Sequence, residues 1–162
     1  MFEWIKNYLL QKEIESISKI QKQFVEWEKV QSSVILVGSN QFNTIKEFVK
    51  QTGKNIDIVV FHPDKTSETK DCFLSLNKKD LNFFGLPKPE SIQKIKGKSY
   101  DVLINSDYNN SSFIKALTGL VAAKCKLGPE SASYNEFFDI SIQSSESEFL
   151  KEALKYLMMI KS

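Results

Sequence analysis

Short, largely apolar runs that alternate with helix-length segments constrain the fold of this chain more than any other feature. Residues 34–37 (Val-Ile-Leu-Val) close on Gly38, residues 56–61 are cut off by His62, Pro63 and Asp64, and residues 100–104 lead into a polar elbow at 105–111. A strand with one wet face alternates apolar and polar side chains, so the continuous run 34–37 points to a strand buried on both faces of a parallel sheet, and 56–61 and 100–104, each carrying one aspartate (Asp57, Asp101), are read as further strands. Weaker runs at 72–76, 125–127 and 137–142 bring the expected number of strands to about six.

The intervening segments carry helical spacing. Asn43 or Thr44 is placed to cap a helix that turns Ile45, Phe48 and Val49 to the sheet and ends at Gly53. Phe113, Ile114, Leu117, Leu120 and Val121 form a second apolar face. Phe149, Leu150, Ala153, Leu154 and Leu157 form a third, within a closing helix over 146–160. Residues 77–84 suggest a helical turn closed by Gly85, and 90–95 one more short helix after Pro87 and Pro89. The expectation is a three-layer, Rossmann-like α/β fold with a mostly parallel sheet and helices on both faces.

Residues 1–30 contain neither glycine nor proline. Phe2, Ile5 and Leu9, then Leu10, Ile14, Ile17 and Phe24, mark an apolar stripe. A continuous helix of that length would measure about 45 Å, longer than a compact domain of this size is wide. It is expected to bend near Ser16 and Ser18 or to project toward a partner. The division is therefore an N-terminal helical segment, 1–30, followed by the α/β domain, 31–162. Glu3, Glu13, Glu15, Glu26 and Glu28 nearly balance the lysines of this segment, which favours packing on protein over a membrane surface.

With 162 residues, 41% hydrophobic and 26% charged, the chain is the size of one domain with one core, and a second, donor-binding domain is not expected. All 22 basic residues are lysines. Arginine supplies the bidentate recognition of phosphate and guanine edges, so sequence-specific nucleic-acid binding is not expected. Cys72 and Cys125 stand far apart without a Cys-x-x-Cys pair, which suits free thiols in a reducing cytoplasm. No apolar run approaches the roughly 20 residues of a membrane span.

In open α/β sheets, ligands gather beyond the carboxyl ends of the strands. Two places therefore hold the candidate ligand-binding residues: Gly38, Ser39 and Asn40 after the first run, and Asn105, Asp107 and Ser111 in the elbow. A phosphate loop needs glycines at fixed offsets, and Gly38 stands alone here. His62 is the single histidine, which removes His-His metal sites and leaves a serine-type triad without a second candidate base. Between Phe61 and Pro63 it is expected to sit exposed in a turn. Phe83 and Phe84 beside Lys78 and Lys79 are expected to anchor a short helix to the core. No catalytic residue, metal ligand set or cofactor is assigned.

Phe2, Ile5, Lys6, Asn7 and Tyr8, the segment 79–87 (Lys-Asp-Leu-Asn-Phe-Phe-Gly-Leu-Pro), and Tyr100 to Ile104 followed by Lys126, Leu127 and Gly128 resemble an uncharacterised family of small Bacteroidota proteins. That resemblance covers most of the chain and implies a bacterial source without a known activity. Tyr100 to Ile104, then Ser111, Ser112, Leu117 and Gly128, are more distantly similar to the N-terminal half of heptosyltransferase-type glycosyltransferases. This second resemblance implies the fold. It does not extend to the reaction, because Ser39 follows Gly38 where that superfamily carries an acidic catalytic residue. The resulting expectation is a non-catalytic module that binds a protein partner or a second copy of itself through the N-terminal helix. The alternative is a nucleotide or sugar-nucleotide binder, or a glycosyltransferase-like enzyme, working at the strand ends.

Overall fold

In the computed structural model, which describes residues 3–16 and 21–161, six strands form one sheet in the order β3-β2-β1-β4-β5-β6, every neighbouring pair parallel. The strands are β1 (Ser33–Gly38), β2 (Ile56–Phe61), β3 (Leu74–Leu76), β4 (Ser99–Asn105), β5 (Ala122–Pro129) and β6 (Ile140–Ile142). The helices are α1 (Glu3–Ser16), α2 (Phe42–Thr52), α3 (Gln93–Lys96), α4 (Ser112–Leu120) and α5 (Phe149–Met159). The α/β expectation holds, including the long N-terminal helix.

Because successive strand residues point to opposite faces, β1 divides its side chains between two cores. Val34 and Leu36 join Val59, Leu103 and Ala123 under α4, with Phe113 and Leu117 as the helix's contribution. Ile35 and Val37 join Ile58, Val60, Val102 and Ile104 under α2 and α5, which supply Ile45, Phe149, Ala153 and Leu157. The continuous apolar run thus reflects a strand that is covered on both sides.

Several local expectations are corrected. The N-terminal helix is described over Glu3–Ser16, up to the region where a bend is expected. Residues 21–26 are irregular and Phe24 is exposed, so the stripe does not continue as one helix to residue 30. Phe2 and Ile17 lie outside the described residues. α1 lies along α4, with Leu10 buried and Ile14 against Gly119. Gln41 occupies the position before α2 and no side chain caps that helix, because Ser39–Gln41 already turns as a single 3-10 turn. β3 is shorter than expected and leaves Cys72 in the loop before it. β5 is longer, and β6 begins only at Ile140, after a 3-10 turn at Asn135–Phe137.

Lys78–Asp80 is one 3-10 turn with Asn77 and Asp80 in a capping box, and the chain then doubles back through a Leu81–Pro87 bridge instead of forming a helix. Gly85 takes φ 77° at that reversal, a left-handed conformation that favours glycine. Phe84 packs on the core, but Phe83 points outward and is 85% exposed.

Candidate functional site

β1 and β4 are adjacent, yet their chains leave in opposite directions. β1 runs through Ser39–Gln41 into α2 on one face, and β4 runs through the elbow into α4 on the other. This divergence opens a crevice at the strand ends, the place where parallel sheets take ligands. The structure brings Gly38, Ser39, Asn40, Asp107 and Ser111 together around one depression of about 170 Å³, partly floored by Phe61 and Ile114. Asn105 is not among its walls. It is fully buried behind them.

The elbow is held by a connected polar network. Asn105 Nδ2 donates to Thr118 Oγ1 (2.9 Å) and to Tyr134 Oη (3.1 Å), while its Oδ1 accepts from Asp107 N–H (2.9 Å). Tyr134 O–H donates to Asp107 Oδ2 at 2.9 Å. Asn109 N–H donates to Asp107 Oδ1 (2.9 Å) and Ser111 N–H to Oδ2 (2.8 Å). Ser111 in turn caps α4 by accepting from Ile114 N–H.

Asp107 is 2% exposed, so its charge is out of bulk water and is balanced by these three donors beside a helix N-terminus. Burial first, and the Asp107 charge second, push the Tyr134 phenol far above its ordinary range, so it remains the donor. Among the described residues no buried side-chain nitrogen or oxygen lacks a partner.

Asp107 therefore shapes the loop, with both carboxylate oxygens turned to the protein's own N–H and O–H groups. Asn105 does the same from deeper in the core. Sequence reasoning missed Tyr134 and Thr118. Thr118 sits on the apolar face of α4 at helical spacing from Ile114, whereas Tyr134 lies in an irregular segment with no periodic signal.

His62, expected to be exposed, is buried. Its Nε2 lies 2.7 Å from Thr69 Oγ1, and its backbone N–H donates to Leu76 O as the loop after β2 folds back along β3. A general base needs open access to its substrate, and this ring faces its own loop. Asp64, next to it, is held down at about 2 by the Ser67 hydroxyl and by the N–H groups of Ser67 and Thr66, a turn-forming role. Among the described residues no three His, Cys, Asp or Glu side chains are grouped as a metal ion would require.

A larger depression of about 550 Å³ opens on the α2 and α5 side of the same crevice, where Gln41 and Thr44 face Ser145 and Glu146 across Ser106. None of its walls belongs to the expected site residues. The only trace in sequence is position: Gln41 and Ser106 each follow an expected site residue by one.

A family model described as a family of unknown function (DUF6913) matches residues 5–160, and the chain belongs to that family. No curated protein and no solved structure matches it.

Proposed function

We propose that this member of a family of unknown function is a non-catalytic binding module that engages a protein partner, or a second copy of itself, through the outer face of α1. The observation that carries this reading is the two-sidedness of that helix. Leu9, Leu10 and Ile14 pack on the domain, while Trp4 and Tyr8, one turn apart on the opposite side, are 71% and 57% exposed. Large aromatic side chains with a polar edge are the residues that interfaces concentrate. The elbow supports the non-catalytic half of the reading, since its carboxylate is already surrounded by the protein's own donors.

The alternative, a nucleotide or sugar-nucleotide binder using Gly38 to Asn40 and the elbow, has the sheet order in its favour. Against it, 170 Å³ is well below the roughly 300 Å³ at which small-molecule pockets begin. Two free cysteines support a reducing, cytoplasmic setting. Among the described residues no helix is long and apolar enough to cross a membrane. A Bacteroidota source and kinship in fold alone with the heptosyltransferase N-terminal half complete the proposal.

Sedimentation velocity on the full chain, across a concentration series and with cell extract added, tests the reading. A larger species is expected for the native chain and is lost in the Trp4→Ala/Tyr8→Ala variant. Identical behaviour of the two proteins under both conditions contradicts it. Deleting residues 1–30 would be a poor test, because it removes the buried Leu10, Trp27 and Val30 along with the exposed face.

A further inference from the structure

The 550 Å³ depression between α2 and α5 is of ligand size, and we propose that it binds an uncharged, hydroxyl-rich ligand of the monosaccharide or cyclic-polyol class. Three segments that are distant in sequence converge on it: Gln41 and Thr44 at the start of α2, Ser106 directly after β4, and Ser145, Glu146 and Ser147 ahead of α5. The β1–β4 divergence, the position at which a parallel sheet receives its ligand, is thus one of its walls.

The wall chemistry selects the ligand. Hydroxyls and a carboxamide both donate and accept, and so match a molecule whose own groups do both. Ser106 is 3% exposed, and its Oγ approaches Gln41 Oε1 only to 3.4 Å, longer than the 2.5–3.0 Å of a full O–H···O bond. Both side chains therefore retain hydrogen-bonding capacity toward the depression. The Glu146 carboxylate would accept hydrogen bonds from adjacent hydroxyls of such a ligand. Leu150, half-buried above the fully buried Ile45, supplies an aliphatic surface for the C–H face of a ring.

Among the described residues no lysine and no aromatic ring lines the depression. A polyphosphate would meet Glu146 with no cation to neutralise it, and a nucleobase would have no ring to stack on. The site lies on the sheet face opposite the core that α1 covers, so it stands or falls independently of the α1 interface.

Saturation-transfer NMR on the full chain, with glucose, N-acetylglucosamine and myo-inositol as probes and adenosine and ATP as comparisons, decides the matter. Transfer to at least one of the three probes is expected, with a Kd weakened about tenfold or more in Glu146→Gln, as for loss of a charge-assisted hydrogen bond. The signal should vanish when Thr44→Trp, at an exposed helix position, fills the depression, and should persist in Trp4→Ala/Tyr8→Ala. Should Thr44→Trp fail to fold, Ser147→Trp fills the same space from the other wall. No transfer to any of the three probes, transfer that survives the filled depression, or stronger transfer to ATP overturns the proposal.

Discussion

Asp107 is a charged side chain that the fold uses as a fastener. Its carboxylate gathers Asn109 N–H, Ser111 N–H and the Tyr134 hydroxyl, so replacement by Asn puts an NH₂ group against donors in a site with 2% exposure. Asp107→Asn is expected to lower stability by about 3 kcal/mol, read by urea unfolding, since buried donors without acceptors cost about 1–3 kcal/mol each. A variant as stable as the native chain would mean that the carboxylate is free for a ligand.

Lys126 poses the opposite problem. Its ammonium is buried and donates to Thr118 O at 2.6 Å, satisfying a carbonyl in the last turn of α4. Burial first and the Lys22 charge second hold its pKa down at about 8 against an ordinary 10.5, with Asp139 opposing. Between pH 8 and 10.5 the unfolded chain therefore binds more protons than the folded one, and this group's contribution to stability rises with pH across that window. Below pH 8 the cost of the buried charge is fully present. From pH 8 to 9 the native chain should gain about 1 kcal/mol relative to Lys126→Met. The comparison cancels the opposing effect of the Cys125 thiol, which burial pushes up to about 12 and which loses stability above pH 9. A constant difference between the two proteins over that pH unit would contradict the assignment.

At the scale of elements, the β5–β6 edge depends on a glycine. A Cβ on Gly128 would collide with the Phe138 ring, which covers this strand from the end of the β5–β6 connection. Gly128→Ala is expected to cost about 2–3 kcal/mol, as overpacking does, and Gly128→Ala/Phe138→Leu should recover part of it in a double-mutant cycle. Additive losses would show that the ring moves aside without strain. Such contacts explain where the elements were legible in sequence and where they were not. β1 is a continuous apolar run, and β2 and β4 are largely apolar apart from Asp57 and Asp101 near their starts, because both faces are covered, and α4 and α5 keep a helical stripe because one face is. β3 and β6 are three residues each, too short for any period to emerge, and α1 shows its buried side only through Leu9, Leu10 and Ile14. The Leu81–Pro87 reversal was hidden because its stabilising groups, the Asn77–Asp80 box and the left-handed Gly85, serve a turn as well as a helix end.

At the scale of the whole molecule, the sheet order positions a ligand crevice whether or not the chain fills it with its own side chains. Five of the six expected residues do meet there, because strand ends converge in any parallel sheet of this order. That Asp107 is turned inward could not be read locally, since its partner Tyr134 is 27 residues away. Nor could the depression on the α2–α5 side, whose walls come from three separate segments. The outer face of α1, with Trp4 and Tyr8, points away from this crevice and is the proposed binding surface. Site-specific photo-crosslinking in living cells, with a benzophenone side chain in place of Tyr8 and, as reference, in place of the exposed Lys50 on α2, tests that claim most directly. A discrete crosslinked species from position 8 that is absent from position 50 is the predicted result. No adduct at position 8, or the same adducts from both positions, would contradict a binding surface on α1.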